Sequence, residues 1–250
     1  MARTLPESCA VVSCHVERPL DDAVWARFAA LQARRPAGFA VAALIRPADV
    51  THGEDEAVWA ARAREAARRA PLGHHTHWTA PDHARPTSGE TGERVLAEGR
   101  RLRELGLAPT LFCGGGWYAD ADVAEACAEL GYVDCTPRAS RPPYLGDDER
   151  WAALSRPSRV VLPSGATLAV VPTTHSLGDL ARALLRRSLP SFVHVYFHDT
   201  DLLQGSRRRL VPVLLRALAL RRRPADPAGL AGGLASTPGI EWADIARGAA

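Results

Sequence analysis

The chain contains no lysine, no asparagine and one methionine, so its 31 basic side chains are all arginines. Lacking lysine, it cannot form a P-loop phosphate cradle of the usual type. The arginines lie in helical stretches among 28 acidic residues, leaving a formal charge of only +3. That mixture reads as solvated helix faces, and with no recognised nucleic-acid module, nucleic acid is not expected as a partner. Cysteine is also scarce. The five thiols, at positions 9, 14, 113, 127 and 135, form no C-x-x-C pair, and their odd number argues against a full disulfide framework. No basic start followed by an apolar signal core is found, and no apolar run approaches membrane-spanning length. The expectation is a reduced, cytoplasmic protein without a membrane span.

What is present is a regular alternation of short apolar and long amphipathic runs over 250 residues, enough chain for one barrel-sized domain. Strands are expected at Ala10–Val16, Phe39–Ile45, Leu72–His77, Thr110–Gly114, Tyr132–Cys135 and Phe192–Phe197. Helices are expected at Leu20–Arg35, Glu54–Ala70, Gly89–Leu105, Ala121–Leu130, Leu177–Arg187 and Ser206–Arg223. This order predicts an α/β fold, a distorted parallel (β/α) barrel of about seven strands with right-handed crossovers. Arg159–Leu162 and Thr167–Val171, around Pro163-Ser-Gly165-Ala, predict a late β-hairpin insertion. Thr136–Pro157 reads as a long loop that ordinary packing does not explain. One domain is expected over 1–223, with 224–250 as a loosely packed tail where periodicity fades.

Chemistry concentrates at strand ends. Pro71-Leu-Gly-His-His-Thr-His-Trp78 packs three histidines into four residues, and period-two alternation turns His75 and His77 the same way. His15-Val-Glu17 ends the first strand, and His194, Tyr196 and His198 alternate along the last. Glu17, His75 and His77 together offer one carboxylate and two imidazoles, a donor set for one divalent metal ion, zinc first, with Fe, Co, Ni or Mn also suited. Such an ion would activate water as the nucleophile, with His198 across the site as general acid, Asp199 orienting it, and His15 or a carboxylate near it as the base. His194, deep in its apolar run, reads instead as a satisfied core residue, and His52 and His83 as solvent-facing loop residues. Phe112-Cys-Gly-Gly-Gly-Trp-Tyr118 follows a strand, so Gly115 could bring backbone close to a substrate while Trp78, Trp117, Tyr118, Tyr144 and Tyr196 offer aromatic faces to a sugar.

In this order the motifs resemble the polysaccharide deacetylase superfamily, of the carbohydrate esterase family 4 (NodB-homology) type. Gly73-His-His75-Thr76 resembles its Gly-x-His-Thr metal motif. Phe112–Tyr118 followed by Leu130-Gly131-Tyr132 resembles its third motif and the Leu-Gly-Tyr beyond it. Val195-Tyr-Phe-His198-Asp199-Thr200 resembles its last strand, whose histidine is the general acid. The likeness spans about Ser8 to Arg223. It implies a distorted β/α barrel and metal-dependent removal of an acetyl (acyl) group from a small amino sugar, nucleotide sugar or glycan precursor. The sequence departs from the family in three places. His15-Val-Glu17 stands where paired aspartates are expected. Thr79 occupies the second histidine's position, leaving His77 as the substitute. The third motif's arginine is replaced near Cys113. Those departures leave a second expectation, a catalytically degenerate domain that binds glycan or regulates. An unrelated H-x-H barrel hydrolase fits less well, because here the pair lies on the third strand.

Overall fold

The computed structural model describes residues 8–87 and 89–248. Four β/α units open the chain: β1 (Cys9–Val16) and α1 (Asp22–Arg34), β2 (Val41–Ile45) and α2 (Glu56–Ala67), β3 (Leu72–Thr76) and α3 (Thr91–Glu104), β4 (Leu111–Gly114) and α4 (Ala121–Glu129). Short strands β5 (Val133–Asp134) and β6 (Trp151–Ala152) precede the hairpin of β7 (Ser158–Val161) and β8 (Thr167–Val170). Then come β9 (His175–Ser176), α5 (Leu177–Leu185), β10 (Phe192–His198) and α6 (Gly205–Ala219). The chain continues through β11 (Arg223–Pro224), α7 (Pro227–Gly232), β12 (Gly239–Glu241), α8 (Trp242–Ile245) and β13 (Ala246–Arg247).

Local chemistry sets these boundaries. Asp21, Asp55 and Asp120 accept backbone N–H groups at the starts of α1, α2 and α4, and Ser176 forms a reciprocal capping box with Asp179 at α5. Gly106 and Gly131 follow α3 and α4 with φ of 73° and 67°, a left-handed turn that costs glycine little.

One sheet organises the molecule, in the order β12-β7-β8-β5-β4-β3-β2-β1-β10-β9, with β11 also paired to β1. All its ladders are parallel except β7–β8, the expected hairpin. The architecture is therefore α/β, but the expected barrel of about seven strands becomes a mostly parallel sheet of eleven. Among the described residues no ladder joins its end strands β12 and β9.

Period-two alternation gives this sheet two different faces. Ala10, Val12, Cys14 and Val16 of β1, with Val193, Val195 and Phe197 of β10, pack outward with Phe28, Leu215 and Leu218 of the helices. Cys9 and Val11, Leu44, Leu111, Cys113 and Val133 form a separate cluster of the opposite parity. Ser13 and His15 share that parity. At Gly73 the packing there is so tight that an added Cβ would lie 2.4 Å from Leu44 and 2.9 Å from Leu111. All five cysteines are buried and free, where a thiol packs as a small hydrophobe.

The expected loose tail is not loose. β11 and β12 extend the sheet, β13 pairs with β6, and Leu230, Leu234, Trp242 and Ile245 are buried. Trp242 and Ile245 join the cluster built from α4 and the hairpin. Apolar anchors spaced among Pro, Ala and Gly carry too little periodicity to be seen as a packed element. Trp242→Ala is accordingly expected to cost about 3–5 kcal/mol in urea unfolding. A cost within about 0.5 kcal/mol, as at a free surface, would mean the segment contributes little.

Candidate functional site

Three strand ends bring four side chains together. Nε2 of His198, His77 and His75 lie 3.5, 3.7 and 4.0 Å from the same oxygen, Oε1 of Glu17. These are electrostatic approaches, too long for hydrogen bonds. Donor atoms of Glu17, His75 and His77 all fall within 4.8 Å of one another. Glu17 thus turns toward the histidines, and the parity argument for His75 and His77 holds.

The far nitrogens explain the ring orientations. His75 Nδ1 is 2.8 Å from the carbonyl oxygen of Cys113, and His77 Nδ1 is 2.8 Å from that of Pro81. A carbonyl only accepts, so each Nδ1 carries the hydrogen and each Nε2 keeps its lone pair. Metal-binding histidines are oriented in the same way. His77 Nε2 is also buried without a hydrogen-bond partner. A buried, unpaired lone pair facing a carboxylate suits a cation, and the donor set fits a divalent ion.

Electrostatics follow from burial. Desolvation pushes the Glu17 carboxyl up, but the His75, His198 and His77 imidazoles outweigh it and bring it down to about 2. Desolvation, with help from His75, lowers His77 to about 4. His15 is held well below its ordinary value by burial and by neighbouring histidines, His75 first. At neutral pH His77 and His15 are thus uncharged beside an ionised Glu17, and a neutral imidazole with a carboxylate is what a metal ion requires.

His15 lies one layer behind. Its ring centroid is 4.6 Å from that of His75 and 5.3 Å from that of His198, and Nε2 is 3.8 Å from Cys113 Sγ. His15, His75 and Cys113 form a second close donor group, though burial raises the Cys113 thiol far above its usual range and keeps it protonated.

Asp199 does not orient His198, contrary to expectation. Its carboxylate accepts the backbone N–H groups of Arg18 at 2.9 Å and Thr200 at 2.8 Å, tying the ends of β1 and β10 together. Burial raises it to about 6. The His198 ring faces Glu17, and Asp201 holds that residue through its backbone N–H at 3.1 Å. Arg46, unnoticed in the sequence, is nearly buried. It donates to the Glu17 carbonyl at 3.0 Å while gripping Glu54 with both terminal nitrogens, at 2.8 and 2.6 Å. Arg46 and Asp199 therefore clamp the backbone on either side of the Glu17–Arg18 peptide.

The expected substrate-facing residues divide. Trp78 is buried, donates to the Gly115 carbonyl at 3.2 Å and packs on Tyr118. Gly115 is needed for protein packing, since a Cβ would lie 2.4 and 2.5 Å from the carbonyls of Ala84 and Thr76. Neither presents itself to a substrate. Tyr118 is partly buried and donates to Asp120 at 2.6 Å. Trp117 does border the cluster, with its ring 5.1 Å from His15 and 4.8 Å from Tyr196. Arg138, from the long loop after β5, covers both rings and was also missed.

No family model matches the chain, and no curated protein matches it. Among solved structures, the crystal structure of 4-alpha-glucanotransferase from Thermococcus litoralis is similar at a TM-score of 0.53 and 13% identity. The match covers 90% of this chain and 38% of that one, so this chain spans well under half the length of that protein. At that identity the likeness speaks for the α/β fold alone. No described helix is long and apolar enough to cross a membrane.

His194 is a satisfied core residue, as its apolar setting suggested. Its Nε2 lies 2.9 Å from Ser13 Oγ, and Nδ1 faces the Val171 carbonyl at 3.2 Å. His52 and His83 are exposed beside Asp49 and Asp82. Burial lowers His194 from 6.5 to about 4. Below pH 6.5 the unfolded chain takes a proton that the folded chain refuses, so stability falls by about 3 kcal/mol as pH drops to about 4. Asp134, raised to about 6 by burial, acts in the opposite sense, its penalty easing as pH falls. Urea unfolding of His194→Gln beside the unmodified chain separates the two. The variant is expected to lose about 3 kcal/mol less across this window, and parallel pH profiles would contradict the assignment.

Proposed function

We propose that the chain is a metal-dependent hydrolase that removes an acetyl or other acyl group from an amino sugar or glycan precursor. Glu17, His75 and His77 would hold one divalent ion, zinc first. The observation carrying this reading is the buried, partnerless Nε2 of His77 aimed at an ionised carboxylate beside a second imidazole oriented in the same way. The eleven-stranded sheet is read as a distorted β/α barrel with its mouth at these strand ends, where such folds keep their chemistry. A similar fold in a glucanotransferase agrees with a sugar-bearing substrate, as analogy only.

When bound, the ion would supply Lewis acidity to the acyl carbonyl and lower the pKa of water. The chain's own residues manage protons and position. His198 is partly exposed across from His77, and its Nε2 is placed to donate a proton to the leaving nitrogen as the C–N bond breaks. The water oxygen ends on the acyl carbon, and the proton it releases would pass through the partly exposed His198 to the leaving nitrogen; His15, buried behind His75 and resisting protonation, is not placed to be the base. Arg46 and Asp199 keep Glu17 in register with the β3 histidines.

A second reading, a degenerate domain that binds glycan without turnover, is favoured by one feature. Glu17 is the single carboxylate in either close donor group, and Asp199 is spent on backbone amides. Two measurements separate the readings. Purified protein is expected to carry or take up one zinc per chain, and His75→Ala and His77→Ala to lose it. Metal-loaded protein is expected to release acetate from N-acetylated sugars, with His198→Ala lowering kcat by about a hundredfold or more while keeping its metal. Protein that binds no transition metal and turns over no acylated sugar would favour the binding domain.

A further inference from the structure

Arg138 is a buried cation without an anion. The residue is 6% exposed, yet its Nε has no hydrogen-bond partner and no described carboxylate pairs with its guanidinium. Arg46, equally buried, shows the normal solution: a two-pronged ion pair to Glu54 and two carbonyl acceptors. Arg138 has only aromatic faces, with Cζ 4.4 Å from the ring centroid of Trp117 and 5.1 Å from that of Tyr196. Stacking offsets part of the desolvation cost, but it uses the flat face of the guanidinium. The N–H donors radiate from its edge in a fork that matches an oxyanion. Only Nε is both buried and without a partner, and that part of the edge stays unfavourable until an acceptor arrives, while the terminal nitrogens are left open to receive one.

Its place in the fold suggests the partner. Trp117 and Tyr196, which carry Arg138, are the rings that border His15, and Tyr196 also borders His198 at 5.8 Å. The backbone fixes the position. Arg138 N–H donates to Ala152 at 2.9 Å, and Leu154 N–H donates to the Arg138 carbonyl at 2.8 Å, so β6 pins this part of the loop against the site.

We propose that Arg138 receives an anionic group of the substrate, a carboxylate or a phosphate, while the acyl group lies at the histidine cluster. The substrate class is then an acylated acidic sugar or sugar phosphate. The choice of substrate rests on the hydrolase reading; the anion site does not.

Calorimetric titration of the full chain with inorganic phosphate and, separately, with acetate tests the site, before and after treatment with a chelator. At least one anion is expected to bind in both metal states, and which one distinguishes a phosphate from a carboxylate source. Arg138→Gln is expected to abolish binding and Arg138→Lys to keep part of it. Arg138→Met is expected to unfold at the same or a higher temperature, because an unpaired buried charge is removed. For turnover, the preference for N-acetylglucosamine 6-phosphate or N-acetylmuramic acid over N-acetylglucosamine should fall in Arg138→Gln on the order of a hundredfold, mainly through KM. Failure of the unmodified chain to bind either anion, or undiminished binding by Arg138→Gln, overturns the proposal. Anion binding without turnover of any acylated sugar keeps the site and retires the hydrolase. Turnover of neutral sugars without anion binding does the reverse.

Discussion

Everything at the sheet's C-terminal edge depends on keeping one carboxylate ionised where water is scarce. Glu17 is only partly exposed, and burial alone would push it toward the neutral acid. Three imidazoles facing one of its oxygens reverse that tendency. Among them His77 is itself too desolvated to welcome a proton. A carboxylate facing the buried, unpartnered Nε2 of His77 leaves a positive charge as the missing component. The clamp by Arg46 and Asp199 matters because a parallel sheet positions its last residues poorly once the ladder ends. Two side chains from neighbouring strand ends take over where backbone pairing stops.

The sheet makes this arrangement affordable by separating its faces. Outward-facing residues of β1 and β10 are small and apolar and meet helices. Inward-facing positions run from Cys9 and Val11 to Ser13 and His15, and from His194 to Tyr196 and His198. Polarity therefore rises toward the C-terminal end of each strand. His194 marks the transition, paired with Ser13 and a carbonyl and held uncharged. On the outer face of β3, His74 is held through Nε2 alone, with Glu98 and Thr76 at 2.8 and 2.9 Å, while its Nδ1 is buried without a partner.

Features that follow from period and local chemistry were legible in the sequence. The six strands, six helices and hairpin lie close to where the apolar spacing puts them, and the shared orientation of His75, His77, His198 and Glu17 follows from alternation. Features set by tertiary geometry were not. Nothing in the spacing tells that Asp199 would spend its carboxylate on the amides of Arg18 and Thr200, because that needs β1 and β10 to be neighbours. Arg46 looked like one arginine among many, since only folding puts it beneath Glu17. Trp78 reads as a rim aromatic by proximity to His77, yet just past the end of β3 it turns inside, donating to the Gly115 carbonyl and packing on Tyr118. Closure of a barrel is likewise a property of the sheet's ends, and no single strand encodes it.

The long loop after β5 joins these observations. Its length exceeds what a connection between adjacent strands needs, and it carries Arg138 to the aromatic pair beside His15. The last residues of the chain then hold it: β13 pairs with β6, and the Ile245 carbonyl accepts the N–H of Ala153 at 2.7 Å. A tail that looked dispensable by composition thus braces the loop bearing the uncompensated cation. The histidine cluster has room for a positive charge and Arg138 lacks a negative one, and Trp117 and Tyr196 border both. A ligand that brings a metal-seeking acyl oxygen and a separate oxyanion satisfies both, so the electrostatic deficit on the inner face runs in the sense that a bipolar substrate would fill.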